Sequence, residues 1–568
     1  MKKNIHIQTR PLLTSPENFQ GMLPFMAHIF ARRGIESSQN LALKLQYLLP
    51  PHLKGLEQAV DLINQAIDNQ HKIVIVGDYD ADGATSTALM ILALRDMGAV
   101  VNYIVPDRFK YGYGLTPAIA DLVQQTFQPQ LLITVDNGIS SHAGVAQAQQ
   151  YGMQVIVTDH HLTTKAAPNA EAIVNPNQLG CDFESKALAG VGVAFYVLAR
   201  LSSLRRQQGK SSSQLTQYLD LVALGTYADV AALDYNNRIL VDAGLKRIQQ
   251  QQARKGILAL LDVAGKDAAS LKAQDLGFVL GPRLNAAGRM ESMQIGIECL
   301  VAEDYSAAHT IAQQLQGLNL ERRQVEAEMK QDALQALAQL EFDHHSIPEA
   351  LVLFEPHWHQ GVIGIVAGRL KEQFHRPSIV FAPDEDGIHL KGSARSIEGI
   401  HIRDAIEYVA QQSPHLVRYF GGHAAAAGLT IEKQHFAEFK QQFTAYIQQM
   451  DAELFQMTLW TDGELPTDAF QLTTVDLIEQ AGPWGQKFPA PVFEGWFDIQ
   501  EHRWLKEKHL KLNLVLDNGQ RVEALAFNAQ EQFEFDASCE KVYLVYELER
   551  NTFNGVSRLQ LRVLHLTQ

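Results

Sequence analysis

Residues 74–83 read Val-Ile-Val-Gly-Asp-Tyr-Asp-Ala-Asp-Gly, the stretch that constrains the fold most tightly. The apolar, β-branched run at 73–76 has the pattern of a strand buried on both faces, as in a parallel sheet. It stops at Gly77 and three alternating acids, Asp78, Asp80 and Asp82, before residues 83–94 resume as an apolar helix. Strand–turn–helix units of this kind build open α/β sheets, which bind ligands just beyond the carboxyl ends of their strands. Three carboxylates so close together repel one another unless a cation lies among them. Oxygen donors select a hard ion such as Mg2+, Mn2+ or Ca2+. An EF-hand also opens Asp-x-Asp-x-Asp-Gly, but its bidentate Glu would fall where this chain has Leu89, and a strand precedes the acids instead of a helix.

The pattern repeats. Residues 100–105 form a second predicted strand. The third, 131–135, ends at Asp136-Asn137-Gly138, and the fourth, 154–158, ends at Asp159-His160-His161. In a parallel sheet these ends share one edge, so acids and imidazoles converge there. Imidazole moves the preference from Ca2+ toward Mn2+ or a similar ion. Asp229 follows a helical stretch at 215–227 and reads by itself as a cap. Asp343-His344-His345 precedes a strand instead of ending one and reads as a solvated linker.

Two segments suit phosphate contact. Residues 106–114 mix Arg108 with tyrosines and glycines, and residues 281–290 read as a glycine-bounded loop carrying Arg283, Asn285 and Arg289. The 568 residues imply several domains, and the net charge of −15 argues against a broadly basic coat while leaving room for a local basic groove. Three scattered cysteines make no disulfide frame or zinc site. With no long apolar span and no apolar signal core at the N-terminus, a cytoplasmic protein with no membrane contact is expected.

Residues 41–49 are expected to be helical up to Pro50-Pro51, with a second helix at 56–67. A long helix poor in turn residues covers 305–340 and connects to a new α/β pattern. In that second lobe, residues 391–396 (Lys-Gly-Ser-Ala-Arg-Ser) read as an anion cradle, and 420–428 as a glycine-alanine loop around His423. Beyond residue 454 short alternating strands, with an Asp-Asn-Gly turn at 517–519, predict a small OB-type barrel. There Trp496, Trp504, Lys506, Lys508 and Lys511 interleave aromatics with cations, as single-strand binders do.

Taken together, the motifs at 77–83, 135–138, 159–161 and 228–230 resemble those of the DHH phosphoesterase superfamily. Residues 358–366, 392–396 and 421–423 resemble its DHHA1 domain, and nearly the whole chain resembles the RecJ family of single-stranded-DNA-specific exonucleases. Val76 departs from the DHH pyrophosphatases, which carry a metal-binding His there. The resemblance implies an α/β fold: a parallel-sheet DHH domain (46–304, after an arm at 1–45), a connector helix (305–345), a DHHA1 domain (346–453) and an OB-type barrel (454–568). It implies 5′→3′ hydrolysis of single-stranded DNA to 5′-mononucleotides by two Mn2+ or Mg2+ ions, in DNA repair and recombination. The implied metal ligands are Asp80, Asp82 and Asp136 for one ion and Asp82, Asp136, His160 and Asp229 for the other. Asp78 and His161 take catalytic roles. Arg108, Arg283, Asn285, Arg289, Ser393, Arg395, Gly421, Gly422 and His423 hold substrate. A monomer is implied, with a single-stranded-DNA-binding protein and a repair helicase as partners. The alternatives are a DHH phosphodiesterase for short oligonucleotides or cyclic dinucleotides, and a non-catalytic DNA-binding scaffold.

Overall fold

The structure is a computed structural model that describes residues 5–106, 111–163, 166–339, 348–553 and 555–568. The first described element is strand β1 (Ile5–Thr9). The expected helix at 41–49 is instead a pair of 3-10 turns, Ser38–Leu41 and Leu45–Tyr47. With prolines at 50 and 51, the segment is too short for a helix to repay its nucleation. Helix Leu56–Asp68 then leads into the sheet.

Five parallel strands make that sheet: β2 (Lys72–Gly77), β3 (Val100–Ile104), β4 (Leu131–Val135), β5 (Gln154–Thr158) and β6 (Ala172–Val174), in the order β3-β2-β4-β5-β6. Both faces are covered, which is why the strands read as unbroken apolar runs. Ile73, Ile75, Leu131 and Ile133 enter the main core; Val74, Val76, Leu132 and Val155 enter the one behind the sheet. Each such side chain contributes roughly 1.5–3 kcal/mol by burial. From β2 the chain steps outward to β3 and then returns to β4 on the other side. The strand order therefore reverses between β2 and β4, where Gly77 pairs with Val135, and a ligand crevice opens at such a point. Helix Ala81–Asp96 runs back from it with residues 81–94 all buried, so the acid loop is anchored in the core.

A helix of 35 residues, Tyr305–Gln339, joins the lobes. Ala308, Ala312 and Leu315 belong to the first core, whereas Met329, Ala333 and Leu337 belong to the second lobe. That lobe carries strands β7 (Leu351–Phe354), β8 (Ser378–Pro383), β9 (His389–Arg395), β10 (Tyr419–Gly422) and β11 (Ala426–Glu432), ordered β10-β11-β9-β8-β7. Both glycine-rich segments read as open loops are thus largely paired strand. Residues 391–395 end β9, and 419–432 form the β10–β11 hairpin. Small residues hid the strand signal: Leu390, Gly392 and Ala394 point inward while Lys391, Ser393 and Arg395 point out. Likewise, the expected loop at 281–290 is the helix Gly281–Met290, entered through a π-turn at Leu276–Leu280.

The C-terminal part begins with β12 (Met457–Thr461), which pairs in parallel with β1. Buried Arg33 reaches Asp462 beside it with bonds of 2.7 and 3.0 Å. Strands β13 (Phe493–Leu505), β14 (His509–Val515), β15 (Arg521–Ala526), β16 (Lys541–Phe553) and β17 (Val556–Thr567) close a barrel in the order β13-β14-β15-β17-β16. No helix among the described residues is long and apolar enough to cross a membrane. The Asp343-His344-His345 segment lies outside the described residues.

Candidate metal centre

Asp80 caps helix Ala81–Asp96. Its Oδ1 accepts the N–H groups of Asp82 (2.9 Å) and Gly83 (3.0 Å), satisfying two donors that a helix start leaves open. Asp82, in the first turn, is 1% exposed. Its carboxylate accepts N–H groups from the start of a second helix, Gly190–Gln207: Gly190 at 2.6 Å and Val191 at 2.9 Å. Burial and the charge of Asp80 push its pKa up to about 7, outweighing those two bonds, which favour the charged form.

Asp136 follows β4 in a left-handed conformation (φ 61°), which Asp tolerates better than most residues and which turns its carboxylate into the crevice. Its neighbour Asn137 donates to the carbonyls of Val76 (3.1 Å) and Val135 (2.9 Å), holding the ends of β2 and β4 together. Burial first, then Asp82, Asp80, Asp78 and Asp229, drive the Asp136 carboxyl well above the usual range.

The Asp159-His160-His161 motif divides its work. Buried Asp159 accepts the N–H groups of His160 (2.7 Å), His161 (3.1 Å) and Ile139 (2.9 Å), plus Nδ1 of His161 at 2.7 Å. Burial alone would lower His161, but its bond to Asp159 and the surrounding acids raise it to about 9, so it is a cation at neutral pH. Burial and the adjacent His161 push His160 down to about 4, leaving it neutral. The His160 ring bonds the backbone of Leu188, and Nε2 has no hydrogen-bond partner. Nδ1 is therefore the anchored nitrogen.

Asp136 Oδ1 is equally orphaned. The two atoms lie 3.1 Å apart, yet their alignment makes no hydrogen bond. Two buried lone pairs aimed at one region are costly unless something positive binds both. Nε2 of His160 also lies 3.8 Å from Asp82 Oδ2 and 3.9 Å from Asp229 Oδ2. Asp78, Asp80 and Asp136 have ligand atoms within 4.8 Å of one another; so do Asp82, His160 and Asp229, and Asp136, His160 and His161. Oxygen donors with a neutral imidazole fit a hard or borderline divalent ion. Asp136 appears in more than one group, as a shared ligand must. Asp78 falls in the group with Asp80, and Asp82 falls with His160 and Asp229.

Because burial and mutual repulsion raise Asp82, Asp136 and Asp229, the metal-free fold holds more protons there than the unfolded chain does. Their contribution to stability is therefore lost as pH rises, and His161 acts in the same direction up to its value of about 9. Metal-free protein should melt at progressively lower temperature from about pH 6.5, the ordinary value of a histidine, to about 9. Saturating Mg2+ should restore more at the top of that window, since it replaces those protons. Thermal melts with Mg2+ or EDTA measure this; a Mg2+ gain that shrinks with rising pH would contradict the ligand set.

The remaining expected residues are more dispersed. Arg108 lies outside the described residues. Asn285 gives its side-chain oxygen to the N–H of Ala81 at 2.8 Å, so this acceptor faces the acid loop. Arg283 donates to the carbonyl of Val279 (2.6 Å) while its Nε stays unpartnered, and Arg289 closes the same helix. Arg395 donates to Ser393 Oγ at 3.1 Å, both of them near Gly364 at the start of helix Ile363–Phe374. Gly421 and Gly422 are exposed on β10, and His423 begins the turn after it. Burial first, and then the positive charge of His161, lower His423. On the barrel, Trp496 is 59% exposed against Tyr543, Trp504 is exposed beside Phe535, and Lys506 and Lys508 lie on the exposed β13–β14 turn.

Sequence reading missed two participants. Tyr113 places its hydroxyl 3.4 Å from the ring nitrogens of His161, and only its place among glycines hinted at this. Gly190 lets the second helix touch the acids: a Cβ there would sit 2.6 Å from Asp136 Cβ.

Comparison with known proteins shows the family to which the chain belongs. Residues 72–226 match the DHH family N-terminal domain, 348–449 the DHHA1 domain and 461–565 the RecJ OB domain. The single-stranded-DNA-specific exonuclease RecJ of Dickeya dadantii is 47% identical over 576 residues, covering 99% of each chain. That of Escherichia coli is 44% identical over 571 residues, again covering 99% of each. The crystal structure of RecJ in complex with Mn2+ from Thermus thermophilus superposes with a TM-score of 0.83 at 29% identity, covering 100% of this chain and 80% of that one; a second crystal structure of RecJ from that organism carries Mg2+. The chain belongs to the RecJ family of single-stranded-DNA-specific exonucleases.

Proposed function

We propose that this protein is a metal-dependent exonuclease that degrades single-stranded DNA from the 5′ end to 5′-mononucleotides, in DNA repair and recombination. The observation that carries the reading is the pair of orphaned, buried lone pairs on Asp136 and His160 within a ring of acids, beside a cationic His161. Asp78, Asp80, Asp82, Asp136, His160 and Asp229 would hold Mn2+ or Mg2+. When bound, two such ions supply Lewis acidity and a water of lowered pKa at neutral pH.

The chain's own groups do the rest. His161, kept cationic and fixed in orientation by Asp159, offers a charged donor to an oxygen of the scissile phosphate. Tyr113, within reach of the same ring, limits how that ring turns. Across the crevice Ser393, Arg395 and His423, with Arg108, Arg283 and Arg289, grip backbone phosphates, and Gly421 and Gly422 let the strand approach closely. Trp496, Trp504, Lys506 and Lys508 give the barrel a stacking and backbone surface for the strand behind. Bound ions and these cations make the path locally positive on a chain of net charge −15. The protein works as a monomer, with a single-stranded-DNA-binding protein and a repair helicase supplying its substrate.

An oligonucleotide labelled at either end tests this directly. With Mn2+, a 5′ label should appear at once as mononucleotide, while a 3′ label should pass through a ladder of shortening strands. With EDTA, neither should change. Early mononucleotide from the 3′ label would reverse the polarity, and cleavage in EDTA would remove the metal.

A further inference from the structure

The start of helix Ala81–Asp96 has its open N–H groups satisfied inside the protein. Asp80 Oδ1 takes those of Asp82 and Gly83, and the first intrahelical bond runs from the Ala84 N–H to the Asp80 carbonyl at 2.9 Å. The remaining one, at Ala81, is satisfied by Asn285, 204 residues away in sequence, at 2.8 Å. Ala81 lies between Asp80 and Asp82, so this bond holds the peptide that joins two of the acids.

The helix bearing Asn285 is pressed against the loop at a further point. A Cβ at Gly288 would come within 1.9 Å of the carbonyl of Tyr79, the residue between Asp78 and Asp80. The far end of the same helix meets the second lobe. A Cβ at Gly361 would lie 2.3 Å from the Arg289 carbonyl, and Met290 packs against the second-lobe cluster that includes Trp358 and Val362. Acid loop, helix Gly281–Met290 and second lobe thus stand in direct contact.

We propose that Asn285 is a positioning residue for the metal centre, and that helix Gly281–Met290 is the strut that fixes the acid loop against the second lobe. This rests on the metal-dependent reading of the site. The side-chain carbonyl of Asn285 contacts no ion; it sets the spacing of Asp80 and Asp82 through the Ala81 amide. Outer-shell groups of this kind typically govern metal affinity by roughly tenfold or more.

The test uses the full chain without DNA. Mn2+ binding by Asn285→Ala is followed by electron paramagnetic resonance, and amide hydrogen exchange of residues 78–88 is followed in metal-free protein. Asn285→Ala should weaken Mn2+ binding about tenfold and speed exchange in that peptide, while the variant stays folded with a cooperative thermal melt. Asn285→Asp keeps an acceptor at the same reach and should retain the exchange protection. DNA affinity measured in saturating Ca2+ should stay within about twofold of the parent. Mn2+ affinity and exchange both at parental values in Asn285→Ala would overturn the proposal. So would a loss of DNA affinity with Mn2+ binding intact, which would make Asn285 a substrate contact. Failure of the parent to bind Mn2+ would instead refute the metal reading, while the exchange measurement would still decide whether Asn285 holds the loop.

Discussion

Asp136→Ala should lower single-stranded DNA hydrolysis at saturating Mn2+ by at least about a thousandfold, with the fold intact. Asp136 belongs both to the group with Asp78 and Asp80 and to the group with His160 and His161, so its removal affects both. Metal-assisted stabilisation of the transition state is worth several kcal/mol, and each ~1.36 kcal/mol is a factor of ten in rate. The same substitution removes a buried carboxyl whose ionisation is opposed by burial and by four other acids. The metal-free variant should therefore melt no lower than the parent at neutral pH, and Mn2+ should raise its melting temperature far less. Single-turnover rates and thermal melts measure both effects. A rate within tenfold of the parent would exclude Asp136 as a shared ligand.

Gly190→Ala should be nearly as damaging, although it removes no functional atom. The new methyl would sit 2.6 Å from Cβ and 2.8 Å from Oδ1 of Asp136. Asp136 cannot easily yield, because its backbone is held in the left-handed region between Asn137 and the strand ends. If the helix start retreats instead, Asp82 loses two N–H donors. A displacement of about 1 Å in a reacting assembly can cost on the order of a hundredfold, and that is the expected loss in turnover. Gly192→Ala is the control: its methyl would meet the Leu188 side chain, whose flexible end lies nearest at 3.0 Å. Equal activity in the two variants would show that the helix start does not set the position of the acids.

The cluster of acids and imidazoles at the strand ends was legible in the sequence because a parallel sheet sends all its strand ends to one edge, whereas Asp229, at a helix end, reached it only through the tertiary fold. Once residues 73–76, 131–135 and 154–158 are read as strands, Asp80, Asp136 and His160 must meet. Local patterns also specified the long connector helix and the barrel. Other elements depended on contacts that local sequence does not record. Residues 281–290 carry the glycines and proline of a loop, yet form a helix because Gly288 permits contact with Tyr79 and Asn285 finds the Ala81 amide. Residues 391–395 have the composition of a loop but are strand, with inward Gly392 closed in by Phe381 and Leu429.

The sequence by itself determined which acids and histidines follow the strands and meet at one edge of the sheet, since strand period and composition are local properties. It could not assign protonation. His160 and His161 are adjacent and identical in type, yet one is neutral and the other a cation. Only the tertiary structure decides this, by burying both and giving the Asp159 side chain to the ring of His161. The same holds for Gly190: that a methyl group is forbidden there follows from Asp136, which is far away in the chain and becomes its neighbour only when helix and sheet pack together.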